Sequence, residues 1–302
     1  MTTVAPGWAA LALVFNGLVW GLSWWPFRQL ESQGLHPLWA TVVIYVPAVL
    51  VILAMRPHAL SELLSHRMLW LLALAAGVTN AAFNWACVIG DVVRVVLLFY
   101  LMPLWSALLA RWLLREPMSR AAMYRIGLAL AGAAVVLHPA GESGWNAMPL
   151  PRSLAEWLGV LGGFALALNN VLLKRESRQS QESRVLAMFV GGALVSAAMG
   201  ALLSAQGLVP WPLANGLDAT PAWVWAMVLV LMVALFLCTN VALQIGATHL
   251  SAQVTSVLML SEVLFAAVSS TWMAAVRITV PLLIGGALIV LAAVWAARER
   301  PI

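Results

Sequence analysis

Ten long apolar segments separated by short polar breaks account for most of this chain. They fall at roughly 8–28, 36–55, 68–90, 93–112, 121–138, 155–173, 185–206, 221–246, 250–275 and 278–297. Two stretches, Leu69–Gly90 and Ile278–Ala297, contain no charged residue at all. About twenty apolar residues wound as a helix span roughly 30 Å of hydrocarbon. In that medium each backbone amide must be satisfied within its own helix. The pattern predicts an all-α membrane protein of ten transmembrane helices.

The segments repeat. Asn84 and Ile89-Gly90, near the end of the third, reappear as Asn240 and Ile245-Gly246 near the end of the eighth. Gly127 and Gly132 in the fifth are echoed by Gly285-Gly286 in the tenth. The reading is a five-helix repeat over residues 1–138, a linker over 139–154 and a second five-helix repeat over 155–302. Because five is odd, the two repeats enter the membrane from opposite sides. Inverted repeats of this kind place a substrate site between the halves, near the bilayer midplane.

Composition agrees. Of 302 residues, 63% are hydrophobic and 9% charged, with a mean hydropathy of +0.95; soluble domains carry about a quarter charged residues. The net charge of +5 is a topology signal rather than a nucleic-acid signal. With a cytoplasmic N-terminus, the inner side collects Arg56, Arg67, Arg111, Arg115, Arg120, Arg125, Lys174, Arg175, Arg178, Arg184, Arg298 and Arg300. The outer side receives only Arg28, Arg94, Arg152 and Arg277. This bias puts both termini in the cytoplasm. Met1–Gly7 has no basic leader, so the first span reads as an uncleaved anchor. Trp145, Trp157, Trp211, Trp223 and Trp225 sit near span ends, as aromatic belts require. Cys87 and Cys238 lie within apolar spans and read as small buried hydrophobes, with no metal, cofactor or disulfide framework. His138 and His249 read as interfacial packing.

Polar residues within the spans are the candidate chemistry. Glu262 is the one carboxylate deep in a span, where an ionised group costs at least a few kcal/mol. It is either a substrate-amine contact or proton-coupling site, or a protonated group bonded to a neighbouring helix through Ser256 or Ser261. Asn80 and Asn84 share one helix face, as do Asn240 and Gln244 on the repeat partner. They line a cavity or bind helices together. Of adjacent Asn169 and Asn170, only one faces inward. Asn16, Trp20 and Trp24 form an i, i+4, i+8 stripe, and Phe83, Trp85, Phe99 and Tyr100 add aromatics. Such rings bind flat side chains by offset stacking, or simply pack. Pro103, placed mid-span, frees the carbonyl of Phe99 and marks a kink. Gly17–Gly21 and Gly159–Gly163 have the spacing of close helix packing, within a monomer or in a homodimer.

These residues resemble a known family. Trp20-Gly21, Pro103, Leu113-Leu114-Arg115-Glu116-Pro117 and Gly127 are similar to the first repeat of the drug/metabolite transporter superfamily, EamA type. Ala165–Arg175, Ser261-Glu262 with Phe265-Ala266-Ala267, and Gly285-Gly286 resemble its second repeat. Phe99-Tyr100-Leu101-Met102-Pro103 resembles the Tyr-Leu-x-Pro element of YddG-type aromatic amino-acid exporters. Val263 stands where the second repeat commonly has proline, which puts symmetric kinking in question, and no Glu closes the ninth span. The resemblance implies export of aromatic and other neutral amino acids across a bacterial inner membrane by alternating access. Asn84, Tyr100, Asn240 and Glu262 are the central contacts.

Absent motifs narrow the classes. No Gly-x₄-Gly-Lys-Ser/Thr is present, so ATP does not drive transport directly, and neither His-Glu-x-x-His nor Gly-x-Ser-x-Gly supports an enzyme. Every basic residue lies near a span end, which argues against phosphorylated substrates. Multidrug or other metabolite efflux, and a non-transporting membrane enzyme or scaffold, are the competing readings.

Overall fold

A computed structural model describes residues 5–89, 95, 98–136, 151, 153–212, 222–273 and 280–297. Gly90, Arg94, His138, Trp145, Arg152, Arg277, Arg298 and Arg300, all used above, lie outside the described residues. The first half contains α1 (Pro6–Ser32), α2 (Pro37–Met55), α3 (His58–Ser65), α4 (Arg67–Ile89), α5 (Met102–Leu109) and α6 (Arg120–Val136). The second contains α7 (Leu154–Arg175), α8 (Gln181–Ala205), α9 (Ala222–His249), α10 (Ala252–Met259), α11 (Ser261–Met273) and α12 (Val280–Ala297). No strand occurs among the described residues.

Helix starts follow local chemistry. Pro6 and Pro37 open α1 and α2, where a missing N–H costs nothing. Ser153 and Glu156 form a capping box at α7, and Ser180 and Ser251 cap α8 and α10. Among the described residues, six helices are long and apolar enough to cross a membrane, namely α1, α2, α4, α7, α8 and α9. The shorter apolar helices fall where the fourth, ninth and tenth spans were expected. Outward-facing side chains such as Trp112, Val230 and Trp272 are large, apolar and exposed, as a lipid-facing surface requires.

The halves interdigitate. α4 packs on α7 and α8, α2 on α8, α6 on α12, and α1 on α9 and α11. Glycines permit the closest approaches. A Cβ on Gly191 would lie 1.8 Å from the carbonyl oxygen of Ala73, so only glycine fits at the crossing of α8 and α4. Gly17 and Gly21 bring α1 against the Ser261 hydroxyl and the backbone of Glu262 and Ala266, and Gly159 and Gly163 bring α7 against the backbone of Val95 and Phe99. Both Gly-x₃-Gly pairs therefore act within the chain.

Two expectations need correction here. Pro103 does not interrupt a continuous helix. The chain turns at Tyr100-Leu101, with Leu101 N–H donating to Leu98 at 3.2 Å, and Pro103 falls in the first turn of α5. The Phe99 carbonyl is not open either, because it packs against Gly163. The second half breaks as well, without proline: Leu260 N–H donates to Val257 at 3.2 Å and α11 starts at Ser261. This break coincides with the close approach of α1, so packing stands where proline chemistry stands in the first half. Counted from Leu101 and Leu260, Pro103 and Glu262 hold the same position after their breaks. Cys238 is also corrected. It is exposed, turned about 100° from Thr239 around the helix, while the surroundings of the Cys87 side chain lie outside the described residues.

The short helix α3 was not expected. Its Ala59 and Leu63 are buried and it packs on α8. The Ser180 hydroxyl donates to Glu62 and holds that carboxyl below its usual range. Arg56 and Glu182 pair nearby at 3.5 Å.

Candidate functional site

A cavity with about 750 Å³ free of protein atoms, counted out to its open side, lies in the middle of the bundle. Both halves line it. α1 supplies Asn16 and Trp20, α2 Tyr45, and α4 Thr79, Asn80, Phe83 and Asn84, with Phe99 beside them. α7 supplies Leu166 and Asn169, α8 Met188 and Phe189, α9 Phe236, Thr239 and Asn240, and the second break Met259 and Glu262.

The walls are aromatic. Trp20 and Phe236 lie 4.9 Å apart at 30°, Tyr45 and Phe189 4.8 Å apart at 69°, and Phe83 and Phe99 4.5 Å apart at 50°. These are tilted and edge-on geometries typical of attractive ring pairs. Trp85 instead packs in a cluster with Leu38 and Leu203.

Most donors at the wall are already used. Asn80 Nδ2 donates to Ala76 at 2.8 Å, and Asn84 Nδ2 donates to Thr41 at 2.9 Å. Tyr45 donates to Asn80 Oδ1 at 3.1 Å. Asn16 Nδ2 donates to Thr239 Oγ1 at 3.0 Å and to its carbonyl at 3.1 Å. Acceptors remain. The Oδ1 atoms of Asn16 and Asn169 are buried without a hydrogen-bond partner. Glu262 stands in the first turn of α11, where the helix dipole favours negative charge.

Of the residues singled out in the sequence, Asn16, Trp20, Asn80, Asn84, Phe99, Asn169, Asn240 and Glu262 are brought together here. Three are placed elsewhere. Trp24 donates through Nε1 to Ser269 Oγ at 2.9 Å, between α1 and α11. Tyr100 is buried at the first break, edge-on to Phe99. Gln244 is buried one turn beyond Asn240, where Arg184 Nε donates to it at 3.0 Å. Tyr45, Thr79, Phe189, Thr239 and Phe236 were missed. Phe236 lies one helical turn from Asn240, so the spacing that exposed the amides marks it too. Tyr45 has Thr41 four residues before it but no amide in its own span to mark it.

Toward the end carrying Lys174, the cavity has a floor. Asn170 follows Asn169 on α7 and is fully buried, its Nδ2 donating to Met259 Sδ at 3.2 Å and facing Met102 Sδ at 3.8 Å. It thus touches both broken spans beside their breaks. One layer further, Ser256 donates to Ser106 across α10 and α5. Further still, Lys174 Nζ donates to the Thr248 carbonyl at 3.0 Å. Burial there pushes the Glu116 carboxyl up, with the Lys174 charge pulling the other way.

Comparison with known proteins gives a family match to the first half only. Residues 7–138 match the EamA-like transporter family. The matched stretch covers α1 to α6, which carry Asn16, Trp20, Asn80 and Asn84. Twenty-eight chains of solved structures match the chain. One, described as "Crystal structure of protein", superposes with a TM-score of 0.70 over 95% of this chain and 95% of its own, at 19% identity. That similarity establishes a shared fold across both halves. No curated protein matches the chain.

Proposed function

We propose that the chain is a secondary transporter that exports aromatic and other neutral amino acids across a bacterial inner membrane, through alternating access of two inverted five-helix repeats. The observation that carries this is the cavity between the halves, aromatic-walled and lined by amides and a single carboxylate. Its rings suit a flat side chain. The unpartnered Oδ1 atoms of Asn16 and Asn169, with Glu262, suit an ammonium group. A buried acceptor without a donor costs about 1–3 kcal/mol, which a ligand N–H recovers as the site closes around it.

The EamA-like match over residues 7–138 supports transport, and the Tyr100-Leu101-Met102-Pro103 turn beside the cavity supports a YddG-type exporter. The basic residues at the Lys174 end support cytoplasmic termini. The floor beneath the cavity then corresponds to a state closed to the cytoplasm. Reconstituted protein releasing labelled phenylalanine, threonine or methionine from preloaded liposomes faster than protein-free liposomes tests the reading. Release of none of the three would refute it and favour efflux of other amines, to which the same acceptors are suited.

A further inference from the structure

Arg184 is a cation set inside the bundle, 5% exposed, in the first turns of α8. Its guanidinium meets neutral acceptors. Nε donates to Gln244 Oε1 at 3.0 Å and Nη1 to the Glu176 carbonyl at 3.0 Å. Gln244 Nε2 in turn donates to Asn240 Oδ1 at 3.2 Å. Asn240 Nδ2 is left facing Met188 Sδ at 3.6 Å, at the cavity wall.

The direction of this chain is fixed at one end only. A primary amide can present either its oxygen or its nitrogen, and the two are interchangeable in shape. Arginine has donors and no acceptor. Its Nε therefore holds Gln244 oxygen-first, Gln244 must offer its nitrogen to Asn240, and Asn240 must turn its own nitrogen to the cavity. A buried charge at the head of such a chain also polarises the bonds that follow it. The result is a donor whose present partner is a thioether, a weak acceptor. The remaining lining amides spend their nitrogens on protein oxygens.

We propose that Arg184 is a positioning residue which, through Gln244, makes Asn240 the donor for a substrate carboxylate. The site then selects α-amino acids over the corresponding amines. This inference rests on the amino-acid reading of the same cavity and adds where the acid end is read.

The test uses full-length protein in liposomes, with KM for labelled phenylalanine measured beside the inhibition constant of phenethylamine, which lacks the carboxylate. Arg184→Met is expected to raise KM for phenylalanine about tenfold, the loss of one hydrogen bond to a charged group, while the phenethylamine constant moves by less than about twofold. Gln244→Met cuts the chain with Arg184 in place and should give the same split; it carries the test if Arg184→Met does not fold. Equal loss for both compounds, or no change for either, overturns the proposal. Wild-type protein that moves no phenylalanine overturns the underlying transport reading, and shows this before any variant is made.

Discussion

Asn16 on α1 and Thr239 on α9 are joined across the cavity wall by two hydrogen bonds from one amide nitrogen, at 3.0 Å to the hydroxyl and 3.1 Å to the carbonyl. These bonds fix which way the Asn16 amide points and leave its oxygen buried without a donor. If that oxygen receives the substrate ammonium, removing it costs one charge-assisted bond. Asn16→Val should raise KM for phenylalanine about ten- to hundredfold, from the roughly 1.5–3 kcal/mol such a bond contributes. An unchanged KM would place the ammonium elsewhere.

The α4–α8 crossing predicts a contrast between two glycines. Gly191→Ala puts a methyl 1.8 Å from the Ala73 oxygen, whereas a Cβ on Gly127 meets nothing within 4 Å. The first should destabilise by about 1–3 kcal/mol through overpacking. The second should be neutral or gain up to about 1 kcal/mol of helix propensity. Thermal unfolding in detergent distinguishes them, and equal melting temperatures would contradict the crossing.

Ser106 and Ser256 touch beneath the cavity, between α5 and α10. If the proposed alternating access holds, these segments must part. With Cys87 and Cys238 replaced by alanine, a Ser106→Cys/Ser256→Cys pair should oxidise readily, stop phenylalanine flux, and recover on reduction. Full transport by the cross-linked protein would show that this layer is not a gate.

Glu262 is the carboxylate lining the cavity. A proton-exchanging transporter needs a titrating group there. Acceleration of wild-type efflux when the receiving side is made acidic would mark proton exchange rather than facilitated efflux, and Glu262→Gln should then lose that acceleration. Unchanged rates and an unchanged response to the gradient would remove Glu262 from coupling.

Six of the spans were legible in the sequence from the length of their apolar runs, and the Asn80–Asn84 pair from its local periodicity. Asn80 and Asn84 face one way on any α-helix, and the structure puts both at the cavity. Longer stripes were less informative. Eight residues turn about 800°, so Trp24 sits about 80° around and about 12 Å along the helix from Asn16. That places it against Ser269 instead of the cavity. Gln244 shares a face with Asn240, yet a residue sixty positions away claims it. Nothing in the eighth span announces Arg184, whose position just before the seventh reads as an ordinary span end. The break at Leu260 was hidden for a similar reason. It lacks proline, and lies where glycines on α1 admit its backbone.

Counterflow into liposomes preloaded with unlabelled phenylalanine tests the central claim most directly. Transient accumulation of labelled phenylalanine against its own gradient, abolished when unlabelled substrate is omitted and weakened by Asn16→Val, is the predicted result. No accumulation of phenylalanine, threonine or methionine by correctly folded protein would contradict it.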